Sequence, residues 1–319
     1  MKYYFAPMEG ITGYLYRQVY QELFAGIDKY FTPFIVPHTI KGLNSREKND
    51  ILPEHNEGIN LVPQILTNQA EDFIRVAKTL QSYGYEEVNL NLGCPSKTVV
   101  SKKKGSGFLE EPRRLDVFLS EIFEGLDMEI SVKTRIGISE PEEFGPLMEI
   151  YNRYPIKELI IHPRVQTDYY KNHANWEAFS QGLSVSKNPV CYNGDLFTAE
   201  DFEKWKACFP SVDCVMLGRG LIANPGLIRK IRDGKDISKA ELKLFHDRLC
   251  EAYQSLKIGD RNVLFKMKEL WYYMIFLFAD HKKQEKKIKK AQNMTAYQAA
   301  VEELFAQCSL MEHGGYLKG

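Results

Sequence analysis

A chain of 319 residues with 42 basic and 42 acidic side chains is neutral overall, and its 44% hydrophobic and 26% charged content is ordinary for a soluble globular protein. No apolar run reaches the roughly 18 residues of a membrane span; the most apolar stretch, Leu270–Ala279, is too short, so no membrane partner is expected. The six cysteines (94, 191, 208, 214, 250 and 308) form no Cys-x-x-Cys and have no histidine at zinc spacing, so no metal is expected, and with Met1-Lys2 leading straight into a strand rather than a signal peptide, a reduced cytoplasmic setting is expected.

In chain order, apolar runs predict strands near 3–6, 31–36, 60–65, 87–91, 129–133, 158–161, 189–192 and 213–217. Between them, helical periodicity appears near 14–25, 70–82, 112–123, 141–153, 198–207 and 220–231. Helix starts are marked by Asn68, by Glu111-Pro112 with proline at an early position, and by Thr198 opening a Thr-x-x-Asp capping pattern. Strands alternating with helices predict parallel β-structure, and eight of them favour a closed (β/α)8 TIM barrel over an open sheet. Cys191 and Cys214 fall inside apolar strands and read as core.

After about residue 235 the strand pattern stops. Ala240–Ile258, Asn262–Phe278 and Thr295–Cys308 read as amphipathic helices, three or four in all. The expected division is a barrel over 1–235 and a small all-α domain over 236–319, packed directly together. Charge divides along the same line. Residues 229–319 hold 18 Lys and Arg against 12 Asp and Glu, a net of +6, so residues 1–228 carry −6. Such asymmetry points to a polyanion, although a solvated helix face gives the same count.

Most strands end in a polar or glycine-rich signature: Ala6-Pro7-Met8-Glu9-Gly10, Val62-Pro63-Gln64, Asn89-Leu90-Asn91-Leu92-Gly93-Cys94-Pro95, Val132-Lys133-Thr134-Arg135, Ile161-His162-Pro163-Arg164, Tyr192-Asn193-Gly194-Asp195 and Met216-Leu217-Gly218-Arg219-Gly220. In a (β/α)8 barrel these ends converge on one face, where the chemistry sits. Cys94 stands at one of them; a tight turn around a buried cysteine is the structural alternative. Lys133 interrupts an apolar strand, and a buried lysine is costly unless paired. Asn193-Gly194-Asp195 and Gly218-Arg219-Gly220 fall after strands seven and eight, where barrels commonly bind phosphate.

In order, these segments resemble the tRNA-dihydrouridine synthases, FMN-dependent barrel enzymes that reduce uridine in RNA. The resemblance runs continuously over about residues 3–230 and is weaker in the helical tail. Gly13 and Pro163 depart from the family pattern, where aspartate and glycine are usual. The resemblance implies bound FMN, NADPH as electron donor, and tRNA or another structured RNA as partner. It implies hydride transfer to C6 of uracil, with Cys94 protonating C5; a free thiol near pKa 8.5 is mostly protonated at neutral pH and suits that role. Pro7, Met8, Gln64, Lys133 and His162 are expected around the flavin, and Asn193, Asp195, Gly218 and Arg219 at its phosphate. Asn91 and Arg164 are expected at the substrate, with Lys102 and Lys103 on RNA phosphates. No obligatory protein partner is read, and a monomer is expected. The rival readings are an FMN barrel acting on a free small molecule, resembling dihydroorotate dehydrogenase, and a flavin-less RNA-binding protein.

The lysine-rich stretch 282–290 yields a test. Replacing Lys282, Lys283, Lys286, Lys287, Lys289 and Lys290 by Gln should weaken RNA binding and flatten its salt dependence, by about 0.7–0.9 in the slope of log K against log salt for each phosphate no longer neutralised. Titrations at several salt concentrations measure this; equal slopes for variant and parent would assign the lysines to a solvated face.

Overall fold

The computed structural model describes residues 1–38 and 42–316. Nine parallel strands form the centre: β1 (Lys2–Phe5), β2 (Lys29–Phe31), β3 (Leu61–Val62), β4 (Gln64–Ile65), β5 (Glu87–Leu92), β6 (Glu129–Arg135), β7 (Leu159–His162), β8 (Val190–Tyr192) and β9 (Cys214–Leu217). Their order is β3-β2-β1-β9-β8-β7-β6-β5-β4. The two ends of that order are halves of one strand, divided at Pro63, which has no N–H to give to a ladder. Ile35 N–H donates to Gln64 O (2.8 Å) and Leu66 N–H to Ile35 O (2.9 Å), tying the segment after β2 to β4. The sheet therefore closes, and the fold is the eight-stranded barrel expected from the sequence, one strand counted twice.

Side chains alternate along β1. Tyr4 and Ala6 join Phe31, Val62, Ile160, Cys191, Cys214 and Met216 in one buried cluster that fills the barrel. Tyr3 and Phe5 belong to the larger cluster shared with the surrounding helices. This is the two-residue period of a strand covered on both sides.

The helical expectations correspond to Tyr14–Leu23, Ala70–Ser82, Pro112–Gly125, Phe144–Tyr151 after a short 3-10 turn, Ala199–Cys208, and two short helices, Arg219–Ala223 and Leu227–Asp233. Thr198 and Asp201 form the capping box their spacing suggested. Asn68 does not cap: the helix begins after Gln69, and Asn68 Nδ2 instead donates to the Lys102 and Lys103 carbonyls (3.1 and 2.9 Å). Among the described residues, the helices that fall outside the periodic segments include Ser45–Ile51 and Trp176–Val185. Ser45–Ile51 opens with an Asn44–Glu47 capping box, and Trp176–Val185 with Asn175 accepting from Ala178 N–H. Both starts carry a legible cap.

Beyond the barrel lie helices Lys239–Ser255, Asp260–Met274, Lys282–Lys290 and Met294–Gln307. They join the barrel through aromatic edges: Phe245 meets Tyr16 at 5.6 Å and Phe24 at 5.4 Å between ring centroids, both edge-on. Each such pair adds about 1 kcal/mol beyond its buried area. Within the helices, Tyr297 Oη accepts from Trp271 Nε1 (2.7 Å) and lies 2.6 Å from His246 Nε2. Burial lowers the His246 pKa, so the ring is neutral and Nε2 accepts the tyrosine proton. Tyr297→Phe leaves an indole N–H and an imidazole nitrogen buried without that partner. It should cost about 2 kcal/mol, measured by urea unfolding; an unchanged midpoint would show that water replaces the hydroxyl freely.

Candidate active site

The C-terminal ends of the strands form one rim. Asn89 and Asn91 alternate on β5 and lie in register with Ser131 and Lys133 of β6. A chain of amides crosses the barrel mouth: Asn91 Nδ2 donates to Gln64 Oε1 (2.7 Å), Gln64 Nε2 to Asn89 Oδ1 (2.8 Å), and Asn89 Nδ2 to Ser131 Oγ (2.9 Å). Asn91 Oδ1 accepts from the N–H groups of Gly93 (3.0 Å) and Cys94 (2.9 Å), which sets the turn that carries the thiol. Ser106 fastens the other side, donating from N–H (3.1 Å) and Oγ (2.9 Å) to Cys94 O. At Gly105, with φ +55°, a Cβ would lie 2.8 Å from Cys94 O and 3.0 Å from Cys94 Cβ, so the approach requires glycine. Cys94 is partly exposed. Burial raises its pKa most, while the Ser96 N–H and the Arg135 charge pull the other way. The group is a thiol at neutral pH.

The rim next to Cys94 is strongly cationic. Arg135, 0% exposed, donates to Gly93 O (3.0 Å), Val165 O (2.7 Å) and Tyr169 O (2.6 Å), bolting the thiol turn to the loop after β7. The Lys133 ammonium makes no hydrogen bond or ion pair among the described residues. Its pKa is lowered to about 8 by burial, then by the Arg135 charge. His162 falls well below the ordinary histidine value, through burial and then through Arg135, Lys133, Arg164 and Arg219. It is neutral, and Nε2 lies 3.0 Å from Arg164 Nη1, so Nε2 accepts.

Arg164 also gives two hydrogen bonds to the Asp195 carboxylate (2.9 and 2.5 Å) and one from Nε to Asn172 O (2.7 Å). Its donors are taken within the protein. Asp195 in turn receives Arg219 Nη2 (2.8 Å) and Ala174 N–H (3.2 Å). That carboxylate orients Arg219. The Arg219 guanidinium lies beside the rings of Tyr170 (4.6 Å), Phe197 (4.9 Å) and Tyr316 (5.4 Å). Gly218 approaches the first loop: a Cβ there would meet Ala6 Cβ at 3.2 Å and Met8 Sδ at 3.5 Å. Asn193 Nδ2 donates to Met216 O (2.8 Å), linking the loops after β8 and β9.

The expected residues thus divide. Pro7, Met8, Gln64, Asn91, Cys94, Lys133, His162, Arg164, Asn193, Asp195, Gly218 and Arg219 all stand at or just beyond strand ends on this rim. Lys102 and Lys103 stand apart on the loop after Cys94; Lys102 is exposed, and Lys103 pairs with Glu110. Of the tail lysines, Lys287 pairs with Glu303 and Lys289 with Glu285, while Lys282, Lys283, Lys286 and Lys290 make no ion pair among the described residues. The sequence patterns gave no role to Arg135, Ser106 or Tyr316. The Lys-x-Arg strand end pointed to Arg135. Nothing in the sequence ties Tyr316 to Arg219, 97 positions away.

An ammonium without a partner, partly buried at the rim, suits an anionic ring edge, and an oriented guanidinium beside close-packed glycine loops suits a phosphate. The residues present fit a flavin mononucleotide on both counts. A family model described as dihydrouridine synthase matches residues 4–309. The chain is 31% identical over 245 residues to the tRNA-dihydrouridine(16) synthase of Pseudomonas putida, covering 72% of this chain and 74% of that protein. It is 25% identical over 313 residues to the tRNA-dihydrouridine synthase B of Pseudomonas aeruginosa, covering 95% and 92%. Among solved structures, morphinone reductase shares the fold at a TM-score of 0.51 and 13% identity, over 74% of this chain and 88% of that one.

The raised thiol can be measured directly. With exposed Cys208 replaced by serine, the iodoacetamide alkylation rate of Cys94 should rise with pH to a midpoint above about 8.5, the value of a free thiol. A midpoint at or below that value would mean that Ser96 and Arg135 outweigh burial.

Proposed function

The chain belongs to the dihydrouridine synthase family, and on that premise we propose that it reduces uridine to 5,6-dihydrouridine in tRNA, with FMN bound at the barrel rim and NADPH as the electron donor. The observation that carries this reading is geometric: partly exposed Cys94 stands on the same rim of strand ends as Lys133, His162 and Arg219. When bound, the flavin supplies the hydride that adds to C6 of uracil. Cys94 holds its proton on Sγ and delivers it to C5, the carbon that becomes basic as C6 accepts hydride. The amide chain from Asn91 fixes the turn, so the sulfur keeps one position while the base enters.

Lys133 would hold the electron-rich edge of the ring, with Pro7, Met8, Gln64 and His162 around it. Arg219 would pair with the phosphate, assisted by Gly218 and Asn193, and Asp195 keeps that guanidinium aimed. His162 stays neutral, so it adds no further charge to a rim that already holds four cations. The target uridine must leave the stack to reach Cys94, as enzymes acting on a base require. The backbone of the RNA would lie along the lysines of helix Lys282–Lys290 and near Lys102. Among the described residues, no helix is long and apolar enough to cross a membrane, and the reading places a monomeric enzyme in the cytoplasm.

Cys94→Ala is the test. The variant should keep its flavin absorbance and still be reduced by NADPH, because neither step needs the thiol proton. Dihydrouridine formation, measured by nucleoside analysis of tRNA, should fall roughly 10²–10⁴-fold, the range for losing a general acid. Product at the parent rate would make Cys94 structural.

A further inference from the structure

Two residues along the first loop from Met8, on the same side of the barrel as Cys94, lies a cavity of about 390 Å³. One wall comes from the barrel: the loop after β1, Tyr14, and Asn49 of helix Ser45–Ile51. The other comes from the helical region: Leu256 and Ile258 in the turn before helix Asp260–Met274, and Lys266 on that helix. The cavity therefore spans the two parts of the chain beside the reactive rim. Arg46, on its edge, forms an ion pair with Glu9, the residue after Met8.

Its chemistry suits one kind of occupant. Tyr14 stacks on His55 at 4.3 Å with 12° between the ring planes, so the ring is held rigidly, and its hydroxyl makes no hydrogen bond among the described residues. Leu256 and Ile258 are 42% and 38% exposed, an apolar surface that solvent covers poorly. Asn49 Nδ2 donates to Ser45 O (2.9 Å), leaving Oδ1 without a partner among the described residues. Asp50, beside it, takes Tyr14 N–H on Oδ1 (2.7 Å). Asp50 also faces the buried Arg17 guanidinium (3.7 Å), so Asn49 Oδ1 is the acceptor this wall leaves open, beside the cations Arg46 and Lys266. At the rim, Lys266 Nζ donates to Gly10 O and makes no ion pair among the described residues. Beyond it on the same helix, Arg261 lies 5.8 Å from the ring centre of Phe265, which is 60% exposed.

We propose that this cavity is a second nucleotide subsite, which takes an unstacked base next to the uridine being reduced, with its phosphate on Lys266. A flat, apolar slot with an aromatic wall accepts a base face. The open acceptor at Asn49 Oδ1 favours a base with an exocyclic amino group: adenine, cytosine or guanine. Uracil has no amino group, so the slot does not compete with the reaction centre for the target. This site rests on the proposed RNA reading, and it adds a rule about the neighbouring base. A dinucleotide donor shares the nucleotide chemistry, but the wall supplied by the helical region, with exposed Phe265 and Arg261 beyond it, favours a polymer.

The test is a double variant, Asn49→Ala with Ile258→Ser, at positions exposed enough to leave the fold intact. Its Kd for a tRNA transcript, read by fluorescence anisotropy, should rise about tenfold, within the range for losing one stacked base. Its flavin content and its reduction by NADPH alone should match the parent. Transcripts with the flanking base removed should bind the parent more weakly and the variant no more weakly than before. An unchanged Kd for tRNA would overturn the subsite, and a raised KM for NADPH with unchanged RNA binding would assign the cavity to the donor instead. If the parent binds tRNA without forming dihydrouridine, the functional reading fails while the binding comparison still decides the subsite.

Discussion

A parallel sheet that closes on itself is the constraint from which the other features of this molecule follow. Closure satisfies the backbone of every strand and brings every C-terminal strand end to one rim. Here it is completed across Pro63, where the missing N–H divides a strand without opening the barrel, because Ile35 bonds to both Gln64 and Leu66. Residues scattered from Pro7 to Arg219 become neighbours for that reason. The interior, filled by Tyr4, Phe31, Met216 and their partners, leaves the chemistry nowhere else to go.

Concentrating cations on that rim has a cost, and the structure meets it in two ways. Arg135 and Arg164 are fully buried, yet their donors are directed to carbonyls, to His162 and to Asp195. A buried guanidinium with satisfied donors is tolerable; an unsatisfied one is not. Lys133 is the exception, its charge weakened by burial and by Arg135. A cation left without a partner among satisfied ones marks where an external anion is expected. Burial and then the same crowd of charge keep His162 neutral, whereas Lys133 on the adjacent strand, lowered in the same way from a higher ordinary value, keeps its charge at neutral pH.

The helical region does more than extend the chain. Phe245 enters the aromatic cluster of Tyr16, Tyr20 and Phe24, fixing its helix against the barrel. Tyr316 reaches back to Arg219, and Lys266 to the first loop. These interactions bring Tyr316 and Lys266 of the tail to the loops of the rim.

The barrel and the order of its strand ends were legible in the amino-acid order alone. Alternation, proline and glycine punctuation and capping residues such as Thr198 are local, and local physics writes them into neighbouring residues. Cys94, Lys133 and Arg219 were legible in the same way, because a polar group at the end of an apolar strand is visible without a partner. Partners were not visible. That Asn91 turns its amide to Gln64 and the Cys94 turn, that Asn68 clamps the lysine loop instead of capping a helix, and that Arg164 is held by Asp195 follow from packing between distant strands. Tyr316 over Arg219, and the cavity between Tyr14 and Ile258, exist only once the chain has folded. Side-chain hydrogen bonds and stacking act over a few ångströms, and only the closed barrel with its docked helices brings such distant residues within that reach.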